Sequence, residues 1–287
     1  MSKILVTGGC GFVGSNLVDM LVDDNEVYVI DNLDTGKKEN CNPKANYIFE
    51  DIRDVFAKGI PEELKDVDVV FHLAALARIQ PSFNRPVETI DVNTRGTALA
   101  CEFAKQVGAR LVYSGSSSFY GGVYLNPYAF TKWQGEEVCK MYSEVYGVST
   151  AVARFFNVYG DRQPKEGPYG TVVGIFERQY KEGGPLTITG NGEQRRDFTH
   201  VSDICKGLIA MSSADFKGDI FNLGRGKNYS INELASFYPD VSSTYIPARP
   251  GEAWETLADI SVSTDVLGWV PSYDLDQYVS EWIESNN

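Results

Sequence analysis

Lys3-Ile-Leu-Val-Thr-Gly-Gly-Cys-Gly-Phe-Val-Gly14 decides how the rest of this chain is read. Lys3 to Thr7 is a short apolar run, Gly8 to Gly14 is a glycine turn, and Ser15 to Leu21 reads as the helix that follows. Glu26 to Ile30 is a second apolar run and ends on Asp31, seventeen positions beyond Gly14. Strand, glycine turn, helix, strand and terminal carboxylate make a dinucleotide-binding unit. Glycines let the backbone turn tightly and approach a pyrophosphate. The helix N-terminus aims unpaired N–H groups and partial positive charge at that anion. A glycine-rich turn without a ligand is the plain alternative, and the ordered context argues against it.

Asp31 selects the cofactor. A carboxylate at the end of the second strand accepts hydrogen bonds from ribose hydroxyls and repels a 2′-phosphate. Asn32-Leu33-Asp34 provides no Arg for such a phosphate, and Lys37 and Lys38 come late. NAD is therefore expected over NADP.

Working outward, 287 residues with 43% hydrophobic content can bury a substantial core. No run of eighteen apolar residues occurs, and no basic segment leads into an apolar one near Met1. Neither a membrane span nor a signal peptide is expected. The formal net charge of −13 argues against nucleic acid or an anionic membrane as partner. Cys10, Cys41, Cys101, Cys139 and Cys205 show no CxxC spacing, and His72 and His200 lie far apart. Neither a disulfide framework nor a metal site is suggested, and a reducing, cytoplasmic setting is expected.

Further βα units follow from apolar runs and punctuation. Tyr47 to Phe49, Val67 to Phe71, Arg110 to Tyr113 and Val148 to Phe155 read as strands. Val87 to Val107 and Tyr128 to Tyr146 read as long helices. This alternation predicts an α/β fold with a Rossmann-type doubly wound parallel sheet. Beyond Asn157, Gly and Pro become dense and the alternation fades, although Asp203 to Ser212 reads as a helix and Ile220 to Leu223 as a strand. A smaller C-terminal substrate-binding α/β domain is expected, with residues 1–155 and 198–225 in the NAD-binding domain and 156–197 and 226–287 in the other.

Tyr128 and Lys132 lie four apart on a predicted helix, so their side chains share a face. A phenol with a reference pKa of ~10 is a poor base at neutral pH. A nearby ammonium and a positive nicotinamide ring stabilise its anion. Lowering that pKa by ~3 units needs ~4 kcal/mol of differential interaction. Ser116 can hydrogen-bond the substrate oxygen that gains or loses the proton. Tyr base, Lys tuner and Ser orienter beside NAD suit hydride chemistry at an alcohol carbon. The pattern gains weight because it follows a strand ending in Ser114-Gly-Ser-Ser-Ser118.

These residues carry a family resemblance over nearly the whole chain. It rests on Thr7 to Gly14, Asp51-Ile52, His72-Leu-Ala-Ala75, Asn93, Ser116, Tyr128 with Lys132, Arg154-Phe-Phe-Asn157, Arg196-Asp-Phe198 and Arg249-Pro-Gly-Glu252. The chain resembles the extended short-chain dehydrogenase/reductase superfamily. Within it, the chain is similar to the NAD-dependent nucleotide-sugar epimerases acting on UDP-glucose or UDP-N-acetylglucosamine. The resemblance implies catalysis by Ser116, Tyr128 and Lys132. It implies cofactor contacts from Gly8, Gly11, Phe12, Val13, Gly14, Asp31, Asn32, Asp51 and Ile52, with the last two meeting adenine. Leu73, Ala74, Ala75, Asn93, Ser114, Tyr128, Lys132 and Phe155 complete that implied cofactor set. Ser116, Ser117, Ser118, Asn157, Arg196, Arg249 and Thr256 are the implied substrate contacts, with the two arginines on the phosphates.

The resemblance also narrows the reaction. The 4,6-dehydratases carry an Asp-Glu pair just after the triad's Ser or Thr, and the sugar-acid decarboxylases carry a Glu there. Here those positions are Ser117 and Ser118. Simple oxidation and re-reduction at C4 is expected, with NAD ending as it began. Seven residues past Arg249, hexose-restricted epimerases place a Tyr; Thr256 leaves room for a 2-acetamido group. UDP-GlcNAc/UDP-GalNAc is therefore expected beside UDP-Glc/UDP-Gal. Glucuronate epimerases usually place an Arg near Gln80, and Arg78 keeps a uronic acid open. A keto-sugar reductase, a 3,5-epimerase and a non-catalytic NAD(H) or nucleotide-sugar sensor remain alternatives.

One departure stands out. Ser116 and Tyr128 are twelve residues apart, and family members usually have a longer segment that borders the sugar. The shortening is expected to leave the pocket more open, or filled by Tyr124 and Leu125. The helix from Tyr128 carries apolar residues on more than one face, namely Phe130, Trp133, Val138, Met141, Tyr142 and Val145. That excess, with the family's habit, predicts a homodimer through helices 88–107 and 128–146.

Overall fold

The computed structural model describes residues 1–286. Six strands come early: β1 (Lys3–Thr7), β2 (Glu26–Ile30), β3 (Asn46–Ile48), β4 (Val69–His72), β5 (Arg110–Ser116) and β6 (Thr150–Phe155). Then β7 (Asn157–Tyr159), β8 (Leu186–Thr189) and β9 (Arg195–His200) leave the main sheet, and β10 (Lys217–Leu223) returns to it. The order across this seven-stranded sheet is β10-β6-β5-β4-β1-β2-β3. Every neighbouring pair is parallel. The order reverses beside β1, so the carboxyl ends of β1 and β4 part and open the crevice where ligands bind in such sheets.

Helices α1 (Phe12–Leu21), α2 (Ile52–Ala57), α3 (Ile79–Asn84), α4 (Pro86–Ile90), α5 (Gly96–Val107), α6 (Ser118–Gly121) and α7 (Pro127–Tyr146) link the early strands. Alternation along β1 divides the core: Ile4 and Val6 enter one layer and Leu5 the other. The first layer meets Leu17, Val18 and Leu21 of α1; the second meets Ile52 and Val55 of α2 and Ala100, Phe103 and Ala104 of α5. In the second half come α8 (Val172–Lys181), α9 (Val201–Met211), β11 (Asn228–Ser230), α10 (Ile231–Ser236) and β12 (Ser243–Ile246). Helices α11 (Ser261–Leu267) and α12 (Leu275–Asn286) follow. Helix α9 covers the first layer through Ile204, Leu208 and Met211. A separate core gathers Phe176, Leu186, Ile188, Phe198, Leu234 and Val279. A three-stranded sheet, β11-β9-β7, stands between the two bodies. The expected boundary at residue 198 falls inside β9, which pairs parallel to β7 and antiparallel to β11.

Two expectations need correction. Helix α1 begins at Phe12 rather than Ser15, because Gly14 lets the first turn sit directly on Gly8. The helix expected over 87–107 is interrupted: α4 passes into a wide turn of π type at Asp91–Arg95 before α5. The cause is Asn93, whose side chain is drawn inward. Its Oδ1 accepts the Leu76 N–H at 2.8 Å, and its Nδ2 donates to Leu76 O at 3.2 Å and Thr131 Oγ1 at 3.0 Å. Those bonds favour a bulge over a straight turn.

Candidate active site

A cavity of about 1080 Å³ runs along the carboxyl ends of the sheet and under the second body. Its deep end is the glycine turn. Gly8 takes φ +74° and donates its N–H to Ile30 O at 2.8 Å. A Cβ on Gly14 would stand 2.1 Å from Gly8 O. Phe12, Val13 and Gly14 line the cavity at the start of α1, where the amides precede the first intrahelical bond. That bare cradle fits a dinucleotide pyrophosphate.

Asp31 is buried at the end of β2, where its carboxylate accepts the N–H groups of Cys10 at 2.9 Å and Leu33 at 2.8 Å. Burial pushes its pKa up and the two amides pull it back. With Asn32 and Gly11 it lines the cavity wall. Next along this wall, Asp51 caps α2 through the Arg53 N–H at 2.9 Å and accepts the Arg53 guanidinium at 2.8 Å and Asn32 Nδ2 at 3.0 Å. The Arg53 guanidinium also reaches Asp91. Arg53 holds the Asp51 carboxyl down at about 2. The folded value lies below the ordinary carboxylate value. Its contribution, about 2 kcal/mol, is thus complete above pH ~4 and fades as pH falls towards 2. Asp51→Asn is expected to remove that contribution at neutral pH and to flatten the fall in stability across this window. Urea unfolding at stepped pH measures it, and an unaltered acid limb would contradict the assignment.

The reacting end lies beyond β5. Helix α7 starts sharply because Asn126 accepts the Ala129 N–H at 2.7 Å and Pro127 occupies the first turn. This start fixes Tyr128, whose own N–H donates to Ser82 Oγ at 3.2 Å. One turn on, Lys132 is buried and its Nζ donates to Ser114 O at 2.7 Å and Ser114 Oγ at 3.2 Å. Burial lowers the ammonium to about 8, with Glu136 opposing. Burial raises the Tyr128 phenol, while the nearby Ser116 hydroxyl and the Arg78 charge lower it. Ser118 donates its N–H and its hydroxyl to Ser116 Oγ at 3.2 and 2.9 Å.

Beneath β5, Glu136 and Arg154 form a buried pair, with Arg154 Nη2 donating at 2.6 Å and Nε at 3.0 Å. A Cβ on Gly115 would stand 2.8 Å from Glu136 Oε1, so the strand carrying Ser116 rests on this carboxylate. Across the cavity, Arg196 is buried and donates to Arg195 O at 2.9 Å and Trp254 O at 3.2 Å, with Glu252 at 3.6 Å. Thr256 is buried beside it, bonded to Arg195 O at 3.1 Å and to the Asp197 N–H at 3.3 Å.

The cavity wall thus gathers the expected cofactor residues from Gly8 to Phe155, with one exception. Leu73, Ala74, Ala75 and Ser114 are on it. So are Ser116, Ser117, Ser118, Asn157, Arg196, the exposed Arg249, and Thr256. Asn93 is the exception: it is buried behind the wall, holding Leu76 and Thr131 in place. The shortened Ser116–Tyr128 stretch is covered from the other body. Asn126 Nδ2 donates to Gly251 O at 3.0 Å and Gln80 Nε2 to Pro250 O at 2.9 Å. Leu125 lines the cavity as expected. Tyr124 does not; it is 81% exposed and packs against Phe130 and Trp133 instead. Sequence reasoning left Arg53, Glu136 and Tyr169 unassigned. Glu136 alone carried a local signal, four residues beyond Lys132 on the same helix face.

Among the described residues no group of three acids, histidines or cysteines is placed to hold a metal, and no helix is long and apolar enough to cross a membrane.

A parallel sheet with this cradle, beside a Tyr, Lys and Ser opposite buried arginines, defines a dinucleotide-dependent enzyme with a second, anionic ligand. Residues 4–224 match the model of the NAD dependent epimerase/dehydratase family, and the chain belongs to that family. A Methanocaldococcus jannaschii protein carrying the provisional name UDP-glucose 4-epimerase is 36% identical over 99% of both chains. UDP-glucuronic acid decarboxylase 1 of Arabidopsis thaliana is 36% identical over 95% of this chain and 67% of its own. Among solved structures, the UDP-N-acetylglucosamine 4-epimerase of Methanobrevibacter ruminantium M1, in complex with UDP-N-acetylmuramic acid, superposes with a TM-score of 0.89. It is 34% identical over 100% of this chain and 99% of that one. The protein is an NAD-dependent enzyme of nucleotide sugars, of the epimerase type.

Proposed function

We propose that the chain interconverts C4 epimers of a UDP-sugar, UDP-Glc/UDP-Gal and UDP-GlcNAc/UDP-GalNAc, by transient oxidation to the 4-keto sugar and re-reduction on the other face. The observation that carries this reading is the Tyr128–Ser116 pair at the cavity wall, followed by hydroxyls rather than carboxylates at Ser117 and Ser118. The Gly8–Gly14 cradle and Asp31 would hold NAD, which would supply a hydride acceptor and donor beside Tyr128. Tyr128 takes the proton of the 4-hydroxyl and later gives it back. Ser116 orients that oxygen, and Lys132 favours the phenolate. Arg196 and Arg249 receive the diphosphate. No carboxylate follows Ser116, so neither loss of a 6-hydroxyl nor the decarboxylase pattern is supported.

Residues 1–155 and 198–225 are assigned to cofactor binding, and 156–197 and 226–287 to the sugar nucleotide. The separate core around Phe176 and Leu234 supports this division. A homodimer through α5 and α7 is part of the same reading. On α7, Val138 and Tyr142 pack onto the sheet layer, whereas Met141 and Val145 stay exposed. That leaves an apolar stripe for a second copy.

The decisive experiment incubates purified protein with UDP-GlcNAc and, separately, UDP-Glc, without added NAD, and follows anomeric protons by NMR. Both galacto epimers are expected. Thr256→Tyr is expected to cut UDP-GlcNAc conversion more than tenfold, on the order of the 1–3 kcal/mol that one pocket group discriminates, and to spare UDP-Glc. No epimer from either sugar, with NAD supplied, would overturn the reading.

A further inference from the structure

The cavity holds a part-buried cation that the mechanism above does not use. Arg78 immediately precedes α3, and its Nε donates to Tyr169 O at 3.0 Å. No carboxylate pairs with its guanidinium, and neither Nη has a hydrogen-bond partner among the described residues. Burial disfavours its charge, and the groups that act on it are the Tyr128 phenol and, from the opposite wall, Glu252. One turn into α3, Ser82 Oγ receives the Tyr128 N–H at 3.2 Å, so Arg78 and Tyr128 are fixed to each other through four residues of helix. Arg78, Tyr128 and Tyr169 all line the cavity.

We propose that Arg78 is a second cation of the reaction centre, stabilising the Tyr128 phenolate that takes the substrate's proton. A guanidinium held by one carbonyl, partly withdrawn from water and lacking an anion gains from an anion that forms beside it. The phenolate is that anion. As it acts, the sugar's O–H bond breaks and an O–H bond forms on Tyr128. The C4–H electron pair leaves as hydride for the cofactor named above, and C4=O forms.

The groups around Tyr128 show why one cation does not suffice. Ser116 and Tyr113 of β5 act on Tyr128 itself; one turn along α7, Lys132 acts with Glu136 and on His72 of β4, and on the opposite wall Glu252 acts on Arg78 and Arg196. Burial, and then the Lys132 charge, hold His72 neutral with a value of about 3, so it supplies no charge. Arg196 is turned to the Arg195 and Trp254 carbonyls. Lys132 is committed to Ser114 and loses its proton near pH 8. Arg78 stays protonated throughout the working range, so it keeps the phenolate favoured where Lys132 fades.

The inference rests on the reading of Tyr128 as the base, and its test works without turnover. Phenolate absorbance is titrated in Arg78→Gln and Arg78→Lys, each compared with the same protein carrying Tyr128→Phe, so that the difference reports Tyr128. Arg78→Gln is expected to raise the Tyr128 ionisation by roughly one pH unit, the size of a nearby-charge effect. Arg78→Lys is expected to restore most of it. The acidic limb of kcat/KM moves with the titration. An unchanged ionisation in Arg78→Gln overturns the proposal; should that variant fail to fold, an unchanged ionisation in Arg78→Ala does the same. Selective loss of affinity for a carboxylate-bearing sugar nucleotide, with Tyr128 ionisation unchanged, also overturns it and makes Arg78 a substrate ligand. If Tyr128→Phe keeps full turnover, the base assignment fails while the titration still reports on Arg78.

Discussion

Tyr128→Phe is expected to lower kcat about 10³-fold while leaving the fold and the bound cofactor intact, because a positioned acid–base group contributes roughly 10²–10⁴ in rate. That loss corresponds to about 4 kcal/mol of barrier. The ring is kept, so its packing at the start of α7 survives; only the hydroxyl that meets Ser116 is removed. Burial alone would make this phenol a worse base than a free tyrosine. Cations must therefore offset the burial: the Arg78 charge acts on the phenol, and Lys132, one turn along α7, lines the same cavity. Single-turnover reduction of the cofactor, followed by absorbance, isolates the chemical step. Retained NAD with full turnover in the variant would remove Tyr128 from the mechanism.

The second large effect is on stability. Glu136→Ala is expected to cost about 3–5 kcal/mol, because it leaves the Arg154 guanidinium buried without its partner. The Arg154 side chain is 7% exposed and that of Glu136 2%. Tyr120 OH accepts from Arg154 Nη1 at 3.2 Å, and the Phe119 ring lies 3.6 Å from its Cζ, but neither replaces a carboxylate. Arg154→Met in the Glu136→Leu background is expected to recover part of the loss, since an apolar pair of similar volume avoids desolvating two charges. Denaturant unfolding of the three variants measures the coupling. A single-variant cost below about 1 kcal/mol would mean that water reaches the pair.

Local chemistry made much of this molecule legible. The Gly8–Gly14 turn, the carboxylate ending β2 and the four-residue spacing of Tyr128 and Lys132 are short-range patterns, and the structure brings them to one cavity. Asn93 escaped because its role is tertiary. The stretch from Pro86 to Gly96 keeps a helical rhythm, and only Leu76 and Thr131, far along the chain, reveal why it bulges. Asp197 is similar. It sits inside a motif read for its neighbour Arg196, yet it gathers the N–H groups of Arg225 at 2.7 Å, Gly226 at 2.9 Å and Ala258 at 3.1 Å. Those three donors carry no special sequence signal, because the bonds use their main chain. The cover over the shortened stretch was equally hidden, since Asn126 and Gly251 are 125 residues apart.

That cover has a mechanical meaning. The Asn126 side chain does two jobs at once: its oxygen starts the catalytic helix at Ala129, and its nitrogen holds Gly251. Arg249 lies two residues away on the same segment. An outward swing of that segment to admit or release a nucleotide must strain or break the link that also seats Tyr128. On the proposed reading, loading and chemistry are interlocked: opening the cleft slackens Tyr128, and grip on a diphosphate by Arg249 restores it. In the proposed reaction, such an interlock keeps a 4-keto sugar in the cleft while the base is engaged.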